Sequence, residues 1–580
     1  FFTTQQNTDI HIPNNVFSTD NGTAGILDIF DKYIFTLCDT MPSNNKNVIS
    51  PEILGTIFER LLSTQSKKSH GTVYTPPKIV HLICCECLTY FLQTKFSHDI
   101  PASEIASFIH NGTTTPRIKK HAKKINDALA QILIFDPAIG SGAFPIGMMH
   151  TITQARLKLD NDKKNLHAYK LHFIQHCLHG TDIAPHALQN TKLRLWLSLI
   201  SDDKVPPLHS LKFNLLCTNP LLDTISNTTK FDIVIGNPPY VGEKSNKEQF
   251  QQIKEHSLGK FYQGKMDLFY FFFHLGLNLA RPSGIVAFIT TNYYITANGA
   301  YNLRTDIKNR ANILSLINFN ELRIFDTAHG QHNMITILQK QDGTSPVPKC
   351  KYCYTERTGI ATPDIIQDII LERDCKTIYS SIPQQNLYSN SENYIRTTNN
   401  APTITQKIKT NSDMLGNVFN VNQGIISGAD KISDKHLREY QLNATKNEGI
   451  YVLDETNDND AIILSQIRAN NEDDILRSFF KNSDIKQFST ATHSTKHIIY
   501  ANKNNYDLTK YPTIDAHLNR FRALLDNATD NSPYLHRPRN DAIFTGPKII
   551  APQRSSINTF GYNDTPWYSS ADVYYITPKT

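Results

Sequence analysis

Between residues 131 and 340 short apolar segments recur, separated by helical ones, and this alternation constrains the fold more than any other feature of the chain. "ILIFD" (132–136), "LHGTD" (178–182), "FDIVIG" (231–236), "GIVAFIT" (284–290) and "MITILQ" (334–339) read as strands. Strands separated by helices are not joined by hairpins, so the pattern predicts a mainly parallel α/β sheet. In such a sheet ligands gather beyond the carboxyl ends of the strands. The residues that follow each strand are therefore the ones to read for chemistry.

The rest of the chain sorts around this block. Its 580 residues are enough for more than one domain. "SPEILGTIFERLL" places Ile53, Leu54, Ile57, Phe58, Leu61 and Leu62 on one helical face, with Ser50 as N-cap, so 1–70 reads as a helical segment. A sheet domain over 71–375, a Ser/Asn/Gln/Thr-rich linker over 376–412 and a mixed α+β domain over 413–580 complete the expected order. The chain begins at Phe1 and stops just after "DVYYITPKT", which leads us to expect a trimmed or partial chain.

The formal charge of +6 is compatible with a polyanionic partner and equally with an ordinary basic surface. "RIKKHAKK" (117–124) reads as a solvated helix face. "LFYFFFHLGLNLA" (Leu268–Ala280) is too short to span a bilayer and carries His274 and Asn278, so a buried helix is expected. Cys84, Cys85 and Cys87, crowded on one helical segment, suit a reduced cytoplasmic protein. "CKYC" (Cys350–Cys353) lacks a second Cys/His pair at zinc spacing, and no metal is expected.

Four strand ends carry polar signals. After the first comes "FDPAIGSGAF": Asp136, then Ala138 and a tight Gly140-Ser-Gly142 turn that allows backbone to approach a ligand. It lacks the lysine of a P-loop and the GxGxxG spacing, so a phosphate is not the expected ligand. After the second comes "GTDIAPHAL", where Asp182 fits a ribose diol or, alternatively, a helix N-cap. "CTNPLL" adds Asn219, whose amide can meet an adenine edge. The fourth strand ends in "NPPY", Asn237 to Tyr240.

Taken in order, these motifs resemble the S-adenosylmethionine-dependent amino-methyltransferases of DNA. The order of cofactor segment, Gly turn, NPPY and specificity region resembles the gamma class of N6-adenine enzymes. The resemblance implies a Rossmann-like catalytic domain with S-adenosylmethionine as cofactor. Asn237, Pro238, Pro239 and Tyr240 would bind the amine and stack on the extruded base. Tyr74 and Thr75 of "GTVYTPPKIV" would cover the methionine part, with Asp136, Ala138, Gly140, Gly142, Asp182, Ile183 and Asn219 completing the cofactor site. "KMDLF" (265–269) is a further landmark, and Phe325 falls where the family places a second aromatic against the base. The family commonly has cysteine where this chain has Ile139, a change expected to alter packing rather than mechanism.

"GIISGADK", "FFKNSDIKQF" and the stretch from Gly546 to Ile576, together with "GQHN" (330–333), resemble the specificity domain of TaqI-type restriction–modification proteins. Arg537, Arg539, Lys548 and Arg554 are the expected DNA contacts. The implied activity is site-specific adenine-N6 methylation of double-stranded DNA by a monomer, beside a separate cognate endonuclease and away from any membrane. Three alternatives stay open: a nuclease fused outside this stretch, which residues 1–50 do not encode, glutamine-N5 methylation of a protein, and a non-catalytic DNA-binding subunit.

Overall fold

The computed structural model describes residues 75–160, 165–200, 207–223, 229–325, 331–343, 347–389, 392–396, 411–528 and 532–579, with a few isolated positions before 50 and at 225 and 408. Tyr74, Gly330 and the helix expected over 50–62 lie outside them. The chain forms two compact units, Phe1–Asn400 and Ala401–Thr580.

Nine strands of the first unit form one sheet: β1 (Ile134–Asp136), β2 (Leu178–Asp182), β3 (Asn214–Cys217), β4 (Phe231–Gly236), β5 (Ala280–Thr291), β6 (Ala311–Asn318), β7 (Asn333–Lys340), β8 (Lys349–Thr355) and β9 (Thr377–Pro383). Their order across the sheet is β9-β8-β6-β7-β5-β4-β1-β2-β3. The run from β5 to β3 is parallel throughout, whereas β7 runs antiparallel between β5 and β6. The sheet is thus mixed: its site-bearing half is parallel and its other half is not.

β1, β4 and the Gly284–Thr291 part of β5 are buried on both faces, which is why they read as continuous apolar runs. In β4, Ile233 and Ile235 join the core formed with α1 (Pro77–Phe96) and α2 (Ala143–Asp160), while Val234 joins the opposite core with α4 (Phe269–Leu279). α4 is the expected buried apolar helix. Cys84, Cys85 and Cys87 lie buried on α1 as free thiols.

The expected linker does not begin at 376. Thr377–Pro383 pair antiparallel with β8 as an edge strand, and Tyr388 bridges to Ile395. An edge strand keeps one side in solvent, so its polar composition mimics a linker. Cys350 and Cys353 lie on β8, where residues three apart point to opposite faces, so the two thiols of "CKYC" do not converge.

The second unit has two four-stranded sheets. One orders β10 (Phe419–Gln423), β17 (Val573–Pro578), β14 (Lys548–Pro552) and β15 (Gly561–Asn563). The other orders β11 (Val452–Asp454), β13 (Lys496–Ile499), β12 (Leu476–Phe480) and β16 (Tyr568–Ser569). Helices Asp458–Ala469 and Pro512–Asn519 pack with them around a core in which Trp567 stacks on Phe480, centroids 4.7 Å apart. No described helix is long and apolar enough to cross a membrane.

Candidate active site

The chain leaves β1 toward β2 and β3 on one side and returns to β4 and β5 on the other, so strand order reverses between β1 and β4. A crevice is expected beyond the carboxyl ends at such a reversal. Asp136 ends β1 and Asn237 follows β4, so the two motifs meet there because of the topology rather than their separation in sequence.

The Gly turn is held from behind. Gly140 and Gly142 have φ of +54° and +83°, a region open to glycine without a steric penalty. From α3 (Pro185–Leu197), Thr191 Oγ1 donates to the Gly140 carbonyl (2.9 Å) and the Arg194 guanidinium to the Ser141 carbonyl (2.7 Å). Ile139 is buried, and its Cδ1 would lie 2.7 Å from a Cβ built at Gly180, so it packs on bare backbone. This agrees with a packing role for that position.

Asp136 is 1% exposed. Its Oδ1 accepts the Ala138 N–H at 3.0 Å, and its Oδ2 is buried with no hydrogen-bond partner. Burial pushes the carboxyl up to about 8; the Ala138 N–H opposes this and the charge of Asp182 adds to it. A Cβ at Gly236 would lie 2.8 Å from Oδ1, so only glycine fits the end of β4 beside this acid.

Asp182 closes the second strand end. Its Oδ2 accepts the Gly140 N–H (2.9 Å) and its Oδ1 the Ala184 N–H (2.8 Å). The carboxylate therefore ties the Gly turn to the start of α3. Ile183 beside it is 48% exposed, and Leu216 at the end of β3 is exposed as well. Apolar surface at a polar strand edge suits a flat heterocycle. The Asn219 Oδ1 accepts the Leu221 N–H (3.1 Å) and so shapes its own turn.

At the other side of the reversal, the Asn237 Nδ2 donates to the Thr75 Oγ1 at 3.0 Å. The expected cofactor segment and NPPY thus meet directly, with Oδ1 as the acceptor end of the fixed amide. Pro238 is buried and Pro239 half-buried. The Tyr240 hydroxyl donates to the Ile289 carbonyl of β5 (3.1 Å), and its half-buried ring meets Phe269 edge-on. Burial pushes that phenol well above its ordinary value, so it stays protonated.

Two contributors carried no assigned role in the sequence. Asp267, inside "KMDLF", accepts the Val241 N–H at 3.1 Å. Burial raises its carboxyl to about 6, against backbone bonds from Phe269, Val241 and Leu268. It fixes the segment leaving Tyr240; an acid standing alone in an apolar run was the available signal. Asn333, at the start of β7, acts on the Tyr240 phenol against the rise that burial causes.

Other expected residues do not join the site. Phe325 is 3% exposed within the core, so its ring faces are covered by packing. Lys548 is 2% exposed; its Nζ donates to the Gly546 and Thr565 carbonyls at 2.9 and 2.7 Å, and burial lowers it to about 8. A buried ammonium capped by carbonyls is a structural group, and the expectation of a DNA contact there is corrected. Arg539 is half-buried and donates to the Gly424 carbonyl, whereas Arg537 and Arg554 are exposed.

Residues 176–325 match the family model of the Eco57I restriction-modification methylase. That segment contains Asp182, Asn219, the whole of NPPY and Asp267, and begins after the Gly turn. A proposed type II restriction enzyme and methyltransferase of Methanocaldococcus jannaschii is 28% identical over 244 residues, 38% of this chain and 21% of that protein. The type II methyltransferase M.HincII of Haemophilus influenzae is 31% identical over 112 residues, 19% of this chain and 22% of the relative. The chain thus spans about a fifth of the length of these curated relatives. Among solved structures, the type IIL restriction-modification enzyme MmeI in complex with DNA aligns with a TM-score of 0.61 at 13% identity, over 92% of this chain and 66% of that one. This likeness is one of fold. The matched segment holds the β2 and β4 ends of the crevice, Asp182 and NPPY.

Proposed function

We propose that the chain transfers a methyl group from S-adenosylmethionine to the N6 amine of an adenine turned out of duplex DNA. It would serve as the modification activity of a restriction–modification system, with 413–580 as its TaqI-type target-recognition domain. The observation that carries this reading is the seat of Asn237: immediately beyond β4, whose last residue Gly236 abuts Asp136 at the end of β1, with its amide oriented by Thr75.

The residues around the reversal fit the cofactor. Asp136 offers a buried oxygen for a cationic group, Asp182 sets a carboxylate at the end of β2 where ribose hydroxyls would lie, and Ile183 offers apolar surface for a purine. When bound, S-adenosylmethionine supplies an electrophilic sulfonium methyl.

The protein's own task is to make a poor nucleophile attack. An adenine amine is planar because its lone pair is shared with the ring. Two acceptors, one for each N–H, draw the nitrogen toward a geometry with an available lone pair. The Asn237 Oδ1 and the Pro238 carbonyl are the acceptors assigned here, on a backbone stiffened by two prolines. The Tyr240 ring offers a surface for the extruded base. We assign the protein to the cytoplasm, as a monomer acting beside a separate endonuclease.

Asn237→Ala tests this directly. Methyl transfer to genomic DNA fragments should fall by roughly two to three orders of magnitude, while cofactor affinity, measured by calorimetry, stays near wild type. Normal transfer by the variant would remove the assigned role. A second reading adds a nuclease outside this stretch, favoured by the M. jannaschii relative, whose name joins restriction and methylation. Mg²⁺-dependent cutting by the parent chain distinguishes it.

A further inference from the structure

In the second unit, Ile485–Lys486 pair antiparallel with Ser489–Thr490, leaving Gln487 and Phe488 as a two-residue hairpin turn. Phe488 has a φ of +71°, and Gln487 is not in the left-handed region. A turn with positive φ only at its second central residue ordinarily holds glycine or asparagine there. A phenylalanine at that place is strained, yet its ring is 79% exposed and contributes almost no burial in return. Strain retained without a packing reward points to a role outside the fold.

The turn is not isolated. The Phe488 N–H donates to the Phe560 carbonyl (2.7 Å), and Phe488 bridges to Gly561. This docks the hairpin on a loop that exposes Ile557, Phe560 and Tyr562. The two segments, 485–493 and 553–563, carry Lys486, His493, Arg554 and six aliphatic hydroxyl side chains (Ser489, Thr490, Thr492, Ser555, Ser556, Thr559), and contain no Asp or Glu, with Asp484 and Asp564 at their borders. Exposed aromatic rings beside Lys486, Arg554 and several hydroxyls are complementary to stacked bases flanked by phosphates.

The geometry points to this hairpin and loop as a stacking surface for duplex DNA, with the Phe488 ring set against a base-pair step. The inference rests on the DNA reading above and adds to it a positioning residue. The strained backbone holds the ring outward before DNA arrives, so that little ordering remains to be done on binding.

The test uses the full chain, a fluorescein-labelled random-sequence duplex, and heparin as a polyanion without bases. Phe488→Asn removes the ring and suits a positive φ. Its affinity for the duplex should fall about tenfold, the scale of one lost stacking contact. Heparin affinity should not change, and Tm should equal or exceed that of wild type. Phe488→Tyr should restore duplex binding. Equal duplex affinity for Phe488→Asn, a parallel loss on heparin, or a lowered Tm would each overturn the proposal. So would loss of a wild-type self-association with DNA affinity intact, since the patch would then belong to a second copy. Labelled methyl transfer to genomic DNA by the wild type separates the two claims. If it is absent together with binding, the methylation reading fails; if it is present and Phe488→Asn binds normally, this inference fails alone.

Discussion

Asp136 sits where a carboxyl group does not readily ionise. With its folded pKa raised from 3.8 to about 8, the fold favours the protonated form. Its contribution to stability is therefore complete below about pH 4 and is lost as pH rises through 8. A cationic ligand reverses the preference. Binding of S-adenosylmethionine at pH 7 should then release a proton, seen as a dependence of calorimetric heat on buffer ionisation enthalpy, and affinity should rise with pH up to about 8. Asp136→Asn should abolish both effects. Asp182 has a double task, since each oxygen holds a backbone N–H. Asp182→Ala should lower both Tm and cofactor affinity; a loss of affinity with Tm unchanged would assign it to the ligand alone.

Between elements, α4 is fastened to α5 (Tyr301–Arg310) by charge. Asp306 accepts from the buried His274 Nδ1 at 2.6 Å and from Arg310 Nε and Nη2 at 2.6 and 2.5 Å. Phe261 lies flat on the imidazole, centroids 3.7 Å apart. Burial alone would raise the Asp306 carboxyl, and the bonds from His274 and Arg310 hold it down. Asp306→Ala leaves the buried His274 Nδ1 unpaired, while Arg310 keeps Asn278, and should lower unfolding free energy by about 2 kcal/mol in denaturant titrations. The five strands read from sequence are present, and all but "LHGTD" are dense apolar runs next to a polar signal. β6 and β8 carry polar residues among their apolar ones, Ser315 in one and Lys351 in the other, and β9 is polar at the edge, so none stood out. The meeting of Thr75 with Asn237 was legible only through family order, since 162 residues separate them. Phe325 and Lys548 were misplaced for one reason: sequence gives residue type, whereas burial is decided by what packs above.

At the scale of the whole molecule, the cores do not share residues. Those of the first unit draw on residues from Ile79 to Ile395, and that of the second on Ile425 to Tyr575. Separate cores support separate folding. A 401–580 fragment expressed alone should unfold cooperatively, with near-ultraviolet dichroism from buried Trp567. A fragment lacking that signal would show that the second unit depends on the first.

The bare backbone at Gly236 has a genetic consequence. Every glycine codon is one base from an alanine codon, and the added methyl would arrive 2.8 Å from the Asp136 Oδ1. A single nucleotide change can thus press a methyl against the carboxyl at the end of β1, and the same change reversed would relieve it.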